Sequence, residues 1–210
     1  MNALILVDIQ NDFIEGGALA VPKGRDVVAP ANRLQPHFDH VIATQDWHPA
    51  THGSFAPQHI GATVGQLINL AGLPQILWPT HCVQNTKGAD FVDGLDRARW
   101  DAVFKKGMNP SVDSYSGFFD NGHQHATGLG AYLQAAGVTD VYVLGLATDY
   151  CVKFTALDAV SLGFRTYLIQ DACRGVNIRP NDVETAIEDM HAAGITILTE
   201  AEVHKLLERT

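Results

Sequence analysis

The sequence predicts an α/β fold, a doubly wound, mainly parallel sheet with helices on both faces. Three observations carry that expectation. Short apolar runs at residues 3–7, 41–44, 102–104, 141–144, 164–169 and 195–198 have the length and much of the β-branched and aromatic content of strands. Between several of them lie segments with apolar residues at helical spacing, ended by glycine. The two kinds of segment alternate, which gives parallel strands joined by right-handed helical crossovers. With 210 residues, 46% hydrophobic and 18% charged, the chain can bury one sizeable core, and no linker divides it, so a single domain over residues 1–210 is expected.

The apolar run 3–7 ends in Asp8, the pattern of a central parallel strand buried on both faces. Ligands of open α/β sheets collect beyond the carboxyl ends of the strands, so Asp8 stands where chemistry is expected; as a turn residue with Asn11 and Asp12 it has an equally weighted bland reading. Gly16, Gly17, Pro22 and Gly24 mark a loop, and residues 27–38 then show helical spacing despite Pro30 and Pro36. After the strand at 41–44 the chain runs off through Gln45-Asp46-Trp47-His48-Pro49. Pro49 biases His48 to an extended conformation, so Asp46 and His48 project to one side and suggest a divalent metal. Residues 52–79, punctuated by Gly53, Pro57, Gly61, Gly65, Gly72 and Pro74, read as one long loop over the end of the sheet. It ends in Trp78-Pro79-Thr80-His81-Cys82. His81 could complete an Asp46, His48, His81 set with open positions, the pattern of catalytic zinc or iron; solvated loop histidines are the bland alternative, and on spacing alone the commoner one.

Lys105-Lys106-Gly107 closes the strand at 102–104. Alternation points one lysine inward, and the residues alone do not say which. Residues 109–121 are turn-rich and carry Tyr115, Phe118 and Phe119 as candidate pocket walls, while His123 and His125, with no third neighbour, read as surface residues. A helix at 129–136 stops at Gly137 and leads into the strand at 141–144. Beyond it the chain reads as a turn, a helix ended by Gly163, a strand at 164–169, a helix at 181–193 capped by Asn181, a strand at 195–198 and a closing helix at 203–207.

The turn Gly145-Leu146-Ala147-Thr148-Asp149-Tyr150-Cys151-Val152 holds the strongest chemical signal. Thr148 or Asp149 can cap the following helix, which places Cys151 in its first turn, where the helix dipole favours an anion and a thiol should ionise more easily. The N–H groups there could also hold an oxyanion. A small apolar filler is the competing reading for a buried cysteine, and it is the one assigned to Cys82, which lacks a strand–turn–helix setting. Three widely spaced cysteines read as reduced thiols, not a disulfide framework. A net charge of −9 with no basic cluster argues against nucleic acid and anionic membrane, and favours a small neutral substrate. The first apolar run is too short for a signal-peptide core or a membrane span, which gives a cytoplasmic expectation. Neither GxGxxG nor GxxxxGK[ST] is present, so no nucleotide-phosphate cradle is expected.

Taken together, Asp8-Ile9-Gln10-Asn11-Asp12-Phe13, Asp46-Trp47-His48-Pro49, Trp78-Pro79-Thr80-His81-Cys82-Val83-Gln84, Lys106-Gly107, Tyr115-Ser116-Gly117-Phe118 and Gly145 to Val152 resemble the nicotinamidases, or pyrazinamidases, among the isochorismatase-like cysteine hydrolases. The resemblance covers nearly the whole chain, with the motifs in order. It implies deamidation of nicotinamide and of pyrazinamide-type analogues through a thioester, a step of NAD salvage. Cys151 would be the nucleophile, Asp8 the acid/base and Lys106 the third member of the triad. Asp46, His48 and His81 would bind a divalent metal, zinc first, with iron or manganese as alternatives, and the metal would take the pyridine nitrogen. His52 or Ser54 would be a further contact, less firmly assigned. A cis peptide is implied between Leu146 and Ala147, with the N–H groups of Ala147 and Cys151 as oxyanion donors. Phe13, Leu19, Trp78, Tyr115 and Tyr150 would shape the ring pocket. Thr80, where relatives often carry Asp or Pro, departs from the pattern in a spacer. Isochorismatase lacks the cysteine and the metal ligands; relatives of N-carbamoylsarcosine amidase share the triad, but the metal ligands favour nicotinamidase. A hydrolase using metal-bound water and a non-catalytic binding module are the readings from other classes. A homo-oligomer is left open.

Overall fold

The computed structural model describes residues 1–208, so the last two positions of the expected 1–210 domain lie outside it. The strands are β1 (Asn2–Val7), β2 (His40–Asp46), β3 (Leu67–Leu70), β4 (Leu73–Ile76), β5 (Ala102–Lys106), β6 (Asp140–Leu146), β7 (Arg165–Arg174) and β8 (Thr196–Leu198). The α-helices are α1 (Val28–Leu34), α2 (Leu129–Ala135), α3 (Lys153–Ser161), α4 (Asp182–Ala192) and α5 (Glu200–Leu207).

Six strands form one sheet in the order β5-β2-β1-β6-β7-β8, every pairing parallel. β1 lies at its centre because it can: Ala3 to Val7 are fully buried, and each large apolar side chain contributes about 1.5–3 kcal/mol relative to exposure. The chain crosses from β1 to β2 in one direction and from β6 to β7 in the other. Right-handed crossovers therefore put α1 and α3 on opposite faces, where α1 touches α5 and α3 touches α4. The order reverses between β1 and β6, and a crevice opens there at the strands' carboxyl ends. Asp8 and the Cys151 turn leave the sheet on its two sides.

Four expectations are corrected. Residues 52–79 are not all loop, since β3 and β4 form an antiparallel hairpin. Its turn residues, Ala71 (φ 50°) and Gly72 (φ 93°), are both left-handed, and the Asn69 side-chain oxygen accepts the Gly72 N–H at 2.8 Å. Alanine is a poor signal for such a turn, which Asn-Gly or Asp-Gly would have announced. Neither Thr148 nor Asp149 caps α3 with its side chain; the chain enters α3 through a wider π turn, Thr148–Val152, in which Ala147 O accepts from Val152 N at 3.1 Å. Asn181 is left-handed and makes no cap to α4; Asn177 Oδ1 accepts the Val183 N–H at 3.0 Å instead. Phe118 is not a pocket wall but a core residue beside Phe164.

Candidate active site

Register decides which lysine faces the crevice. β2 and β5 pair with Asp46 opposite Lys106, so Lys106 is buried, while Lys105, one step out of phase, lays its ammonium 3.7 Å over the Trp47 ring. The Lys106 ammonium donates to Asp46 Oδ1 (2.5 Å), the Ser114 carbonyl (2.9 Å) and Cys151 Sγ (3.4 Å). Three hydrogens thus have three acceptors. Asp8 Oδ2 lies 2.8 Å from the same nitrogen but off the hydrogen-bond directions, so it keeps an acceptor lone pair.

Asp8 is itself held rigidly. Its backbone is left-handed (φ 48°), costly for a residue with a Cβ, and is kept there by its neighbours. Asp8 N donates to Thr44 Oγ1 at 3.2 Å, and the Thr44 hydroxyl returns a bond to Asp8 Oδ1 at 2.6 Å. Oδ1 is occupied and Oδ2 accepts no hydrogen bond, while oxygens of Asp8 and Asp46 and the Cys151 sulfur all lie within 4.8 Å of one another. Thr44 precedes Asp46 by two residues and shares its face; strand alternation alone could have singled it out. On the far side, Gly145 (φ 126°) lets β6 close against β1, since a Cβ there would lie 2.2 Å from the Val7 carbonyl oxygen. The Leu146–Ala147 peptide that follows is cis, as the resemblance implied.

The protonation pattern differs from the sequence expectation. Burial pushes the Cys151 thiol well up, and the Asp8 and Asp46 carboxylates add to that against Lys106. Burial also raises Asp8, with Lys106 opposing, which makes it a better base than an exposed carboxylate. For Asp46 the burial penalty is outweighed by Lys106 and His48, which hold it well below the usual carboxylate range. Lys106 is held well above its ordinary value because the two carboxylates outweigh burial.

Beside this group sit the three residues named as metal ligands. His48 Nε2 and His81 Nε2 lie 3.3 and 3.7 Å from Asp46 Oδ2. Each ring is oriented from behind by a carbonyl: His48 Nδ1–H donates to Gly107 O and His81 Nδ1–H to Pro79 O, both at 2.8 Å. That leaves both Nε2 lone pairs converging with a carboxylate oxygen, the donor set and outer hydrogen bonding of a transition-metal centre. Gly107 is needed for it, since at φ 65° a Cβ would fall 2.3 Å from His48 Cε1. His52 is buried against His48 and pushed down to about 4 by burial; its Nδ1 accepts from Ser54, and its Nε2 has no partner.

A cavity joins the two groups. Phe13, Leu19, Trp78, Tyr115 and Tyr150 all line it, together with Ala147, Cys151, Asp46 and His81. Trp78 and Tyr150 meet edge to face at 4.8 Å, and the Trp78 N–H donates to Tyr115 Oη at 3.2 Å. Two further lining residues, Asp113 and Val176, escaped the sequence reading; a lone carboxylate in a turn-rich segment gave no signal. Cys82 is buried, and His123 and His125 are exposed, as expected. No described helix is long and apolar enough to cross a membrane.

An isochorismatase domain model matches residues 2–202. The chain is 55% identical to the nicotinamidase of Escherichia coli (strain K12), covering 95% of each. A solved nicotinamidase/pyrazinamidase of Acinetobacter baumanii superposes with a TM-score of 0.93 at 40% identity, covering 96% of this chain and 97% of the other. A pyrazinamidase of Pyrococcus horikoshii in complex with zinc superposes with a TM-score of 0.77 at 39% identity, covering 94% and 98%.

Proposed function

The chain belongs to the isochorismatase family, and from that premise we propose that it deamidates nicotinamide, and pyrazinamide-type analogues, to the acid and ammonia in NAD salvage, with Cys151 as nucleophile. The observation that supports this most strongly is the convergence of Asp8, Lys106 and Cys151 beside an aromatic cavity that Cys151, Asp46 and His81 line.

An unactivated amide needs a strong nucleophile, a proton for its poor leaving group and a home for the oxyanion. Cys151 Sγ attacks the carboxamide carbon as its proton passes to Asp8 Oδ2. The carbonyl π electrons move onto oxygen, and the Ala147 and Cys151 N–H groups receive that charge. When the C–N bond breaks, Asp8 returns the proton to nitrogen and ammonia leaves, with the acyl group held as a thioester. Asp8 then takes a proton from water, whose hydroxide adds to the thioester carbon; the C–S bond breaks, the acid departs and the sulfur is reprotonated. Lys106 keeps a positive charge beside the sulfur throughout, and Thr44 fixes which Asp8 oxygen carries the proton.

Asp46, His48 and His81 would hold a divalent metal, zinc foremost, with iron or manganese as alternatives; when bound it would supply a Lewis acid for the pyridine nitrogen and so orient the ring. The Nδ1–H bonds of both histidines support this assignment, as does the zinc in the Pyrococcus horikoshii relative. The small amide and water are the reactants the scheme requires; a cytoplasmic setting and a homo-oligomer are compatible with it. Cys151→Ala should abolish ammonia release from nicotinamide with metal content unchanged. Full turnover by that variant would exclude the sulfur as nucleophile and leave metal-activated water as the attacking group.

A further inference from the structure

Charge within the buried site does not balance with the triad and the three metal ligands alone. Lys106 is a single cation set between two carboxylates, Asp8 and Asp46, so these three side chains leave one formal negative charge. A divalent cation brings two positive charges into the same dry volume, where an uncompensated charge is expensive. A third buried carboxylate faces the same place. Asp113 is 3% exposed, lines the cavity, and has an oxygen within 4.8 Å of ring nitrogens of both His48 and His52. It does not touch Lys106; its oxygens accept from Ser114 N at 2.8 Å and Gln75 Nε2 at 3.1 Å, neutral donors that leave its charge unspent.

His52 adds a second, independent sign that this corner is built for a polar occupant. Ser54 N–H donates to His52 Nδ1 at 3.2 Å, which fixes that nitrogen as an acceptor and puts the ring hydrogen on Nε2. His52 Nε2–H is buried and has no partner, although the ring packs 4.4 Å from His48. A buried donor left without an acceptor is costly, so its retention beside a carboxylate calls for a polar occupant. Because Nε2 carries the hydrogen, His52 is a donor here and not a fourth ligand.

We propose that Asp113 is the charge-balancing carboxylate of the metal centre. It stands outside the three ligands, supplies the second negative charge that a divalent cation requires, and shares with His52 Nε2–H a polar niche beside His48. The proposal rests on the assignment of Asp46, His48 and His81 as ligands. It makes Asp113 a positioning residue that governs metal retention, distinct from the acyl-transfer machinery.

The test is zinc affinity, measured by competition with a chromophoric chelator on the full chain, with the thermal midpoint of the metal-free protein as the control for folding. Asp113→Asn should bind zinc about 10- to 100-fold more weakly, the range seen when outer partners of metal ligands are removed. Its metal-free midpoint should stay near that of the parent. Gln75→Ala removes a neutral donor from the same carboxylate but keeps the charge, and should change zinc affinity less than about threefold by this electrostatic argument. If Asp113→Asn does not fold, Asp113→Ser carries the same expectation. Parent-like zinc affinity in the Asp113 variants overturns the proposal, and so does an equal loss in Gln75→Ala, which would assign the effect to packing. Failure of the parent chain to bind zinc, cobalt or manganese would instead overturn the ligand assignment beneath it.

Discussion

Two ion pairs in this molecule have nearly equal lengths and opposite consequences. Lys106 Nζ lies 2.8 Å from Asp8 Oδ2 with both side chains wholly buried, whereas Arg33 Nε lies 2.7 Å from Glu200 Oε1 with the arginine side chain 58% exposed. The first sits at the strand ends where β1, β2 and β5 meet; the second ties α1 to α5 on the surface. In the buried pair the attraction competes with the loss of water around three charged groups, and the result is a reactive arrangement with little net stability. In the exposed pair water remains, so bidentate geometry yields only a small gain. Distance therefore says little about energy until burial is known.

The largest expected effect comes from breaking the buried side of the comparison. Lys106→Met leaves Asp8 and Asp46 close together without their cation and should destabilise the metal-free chain by about 3–5 kcal/mol, lowering the thermal midpoint by roughly 6–20 °C. One of the two carboxyls should then take up a proton near neutral pH, visible in a backbone-independent carboxyl titration. A midpoint within a degree or two of the parent would show that the lysine does not hold the pair.

Thr44→Val is smaller and more selective. It deletes the hydroxyl that binds both Asp8 N and Asp8 Oδ1 and should cost about 1–3 kcal/mol, with kcat falling more than KM rises. An unchanged kcat would mean that Asp8 is oriented by its backbone alone.

Smallest is Arg33→Ala, at no more than about 1 kcal/mol. The Arg33 hydrogen bond holds the Glu200 carboxyl below its ordinary value, against its slight burial. A depressed folded value adds stability that is complete above the unfolded pKa, about 4.3, and fades as pH falls through the lower folded one. Parent and Arg33→Ala should thus differ at pH 7 and converge in acid, and also in high salt. A gap that persists at pH 3 would point to lost packing of the arginine stem.

The same contrast explains what could be read from the residues. Apolar runs announce central strands, so β1, β2 and β6 were legible, and with them the positions of Asp8, Asp46 and Cys151 at strand ends. Lys106 was not separable from Lys105, because the choice depends on the phase of β5 against β2, a property of pairing and not of the segment. The metal ligands come from two segments more than thirty residues apart, so spacing offered the Asp46, His48 and His81 set only as the less common reading, and the resemblance made it the favoured one. Asp113, a lone carboxylate in a turn-rich segment, carries no local signature, whereas Thr44 shares a strand face with Asp46 and was open to an alternation argument. Burial and the neighbouring carboxylates push the thiol up, against the direction that the helix-terminus argument suggested.

The central claim is that the Cys151 sulfur carries the acyl group. Mixing enzyme with excess nicotinamide, quenching in acid within the first turnovers and sequencing the peptide containing Cys151 by mass spectrometry tests it directly. A nicotinoyl group on Cys151, lost on longer incubation and absent from Lys106→Met, is the predicted result. Continued ammonia release with that sulfur unmodified at every time point, and persisting in Cys151→Ala, would contradict it.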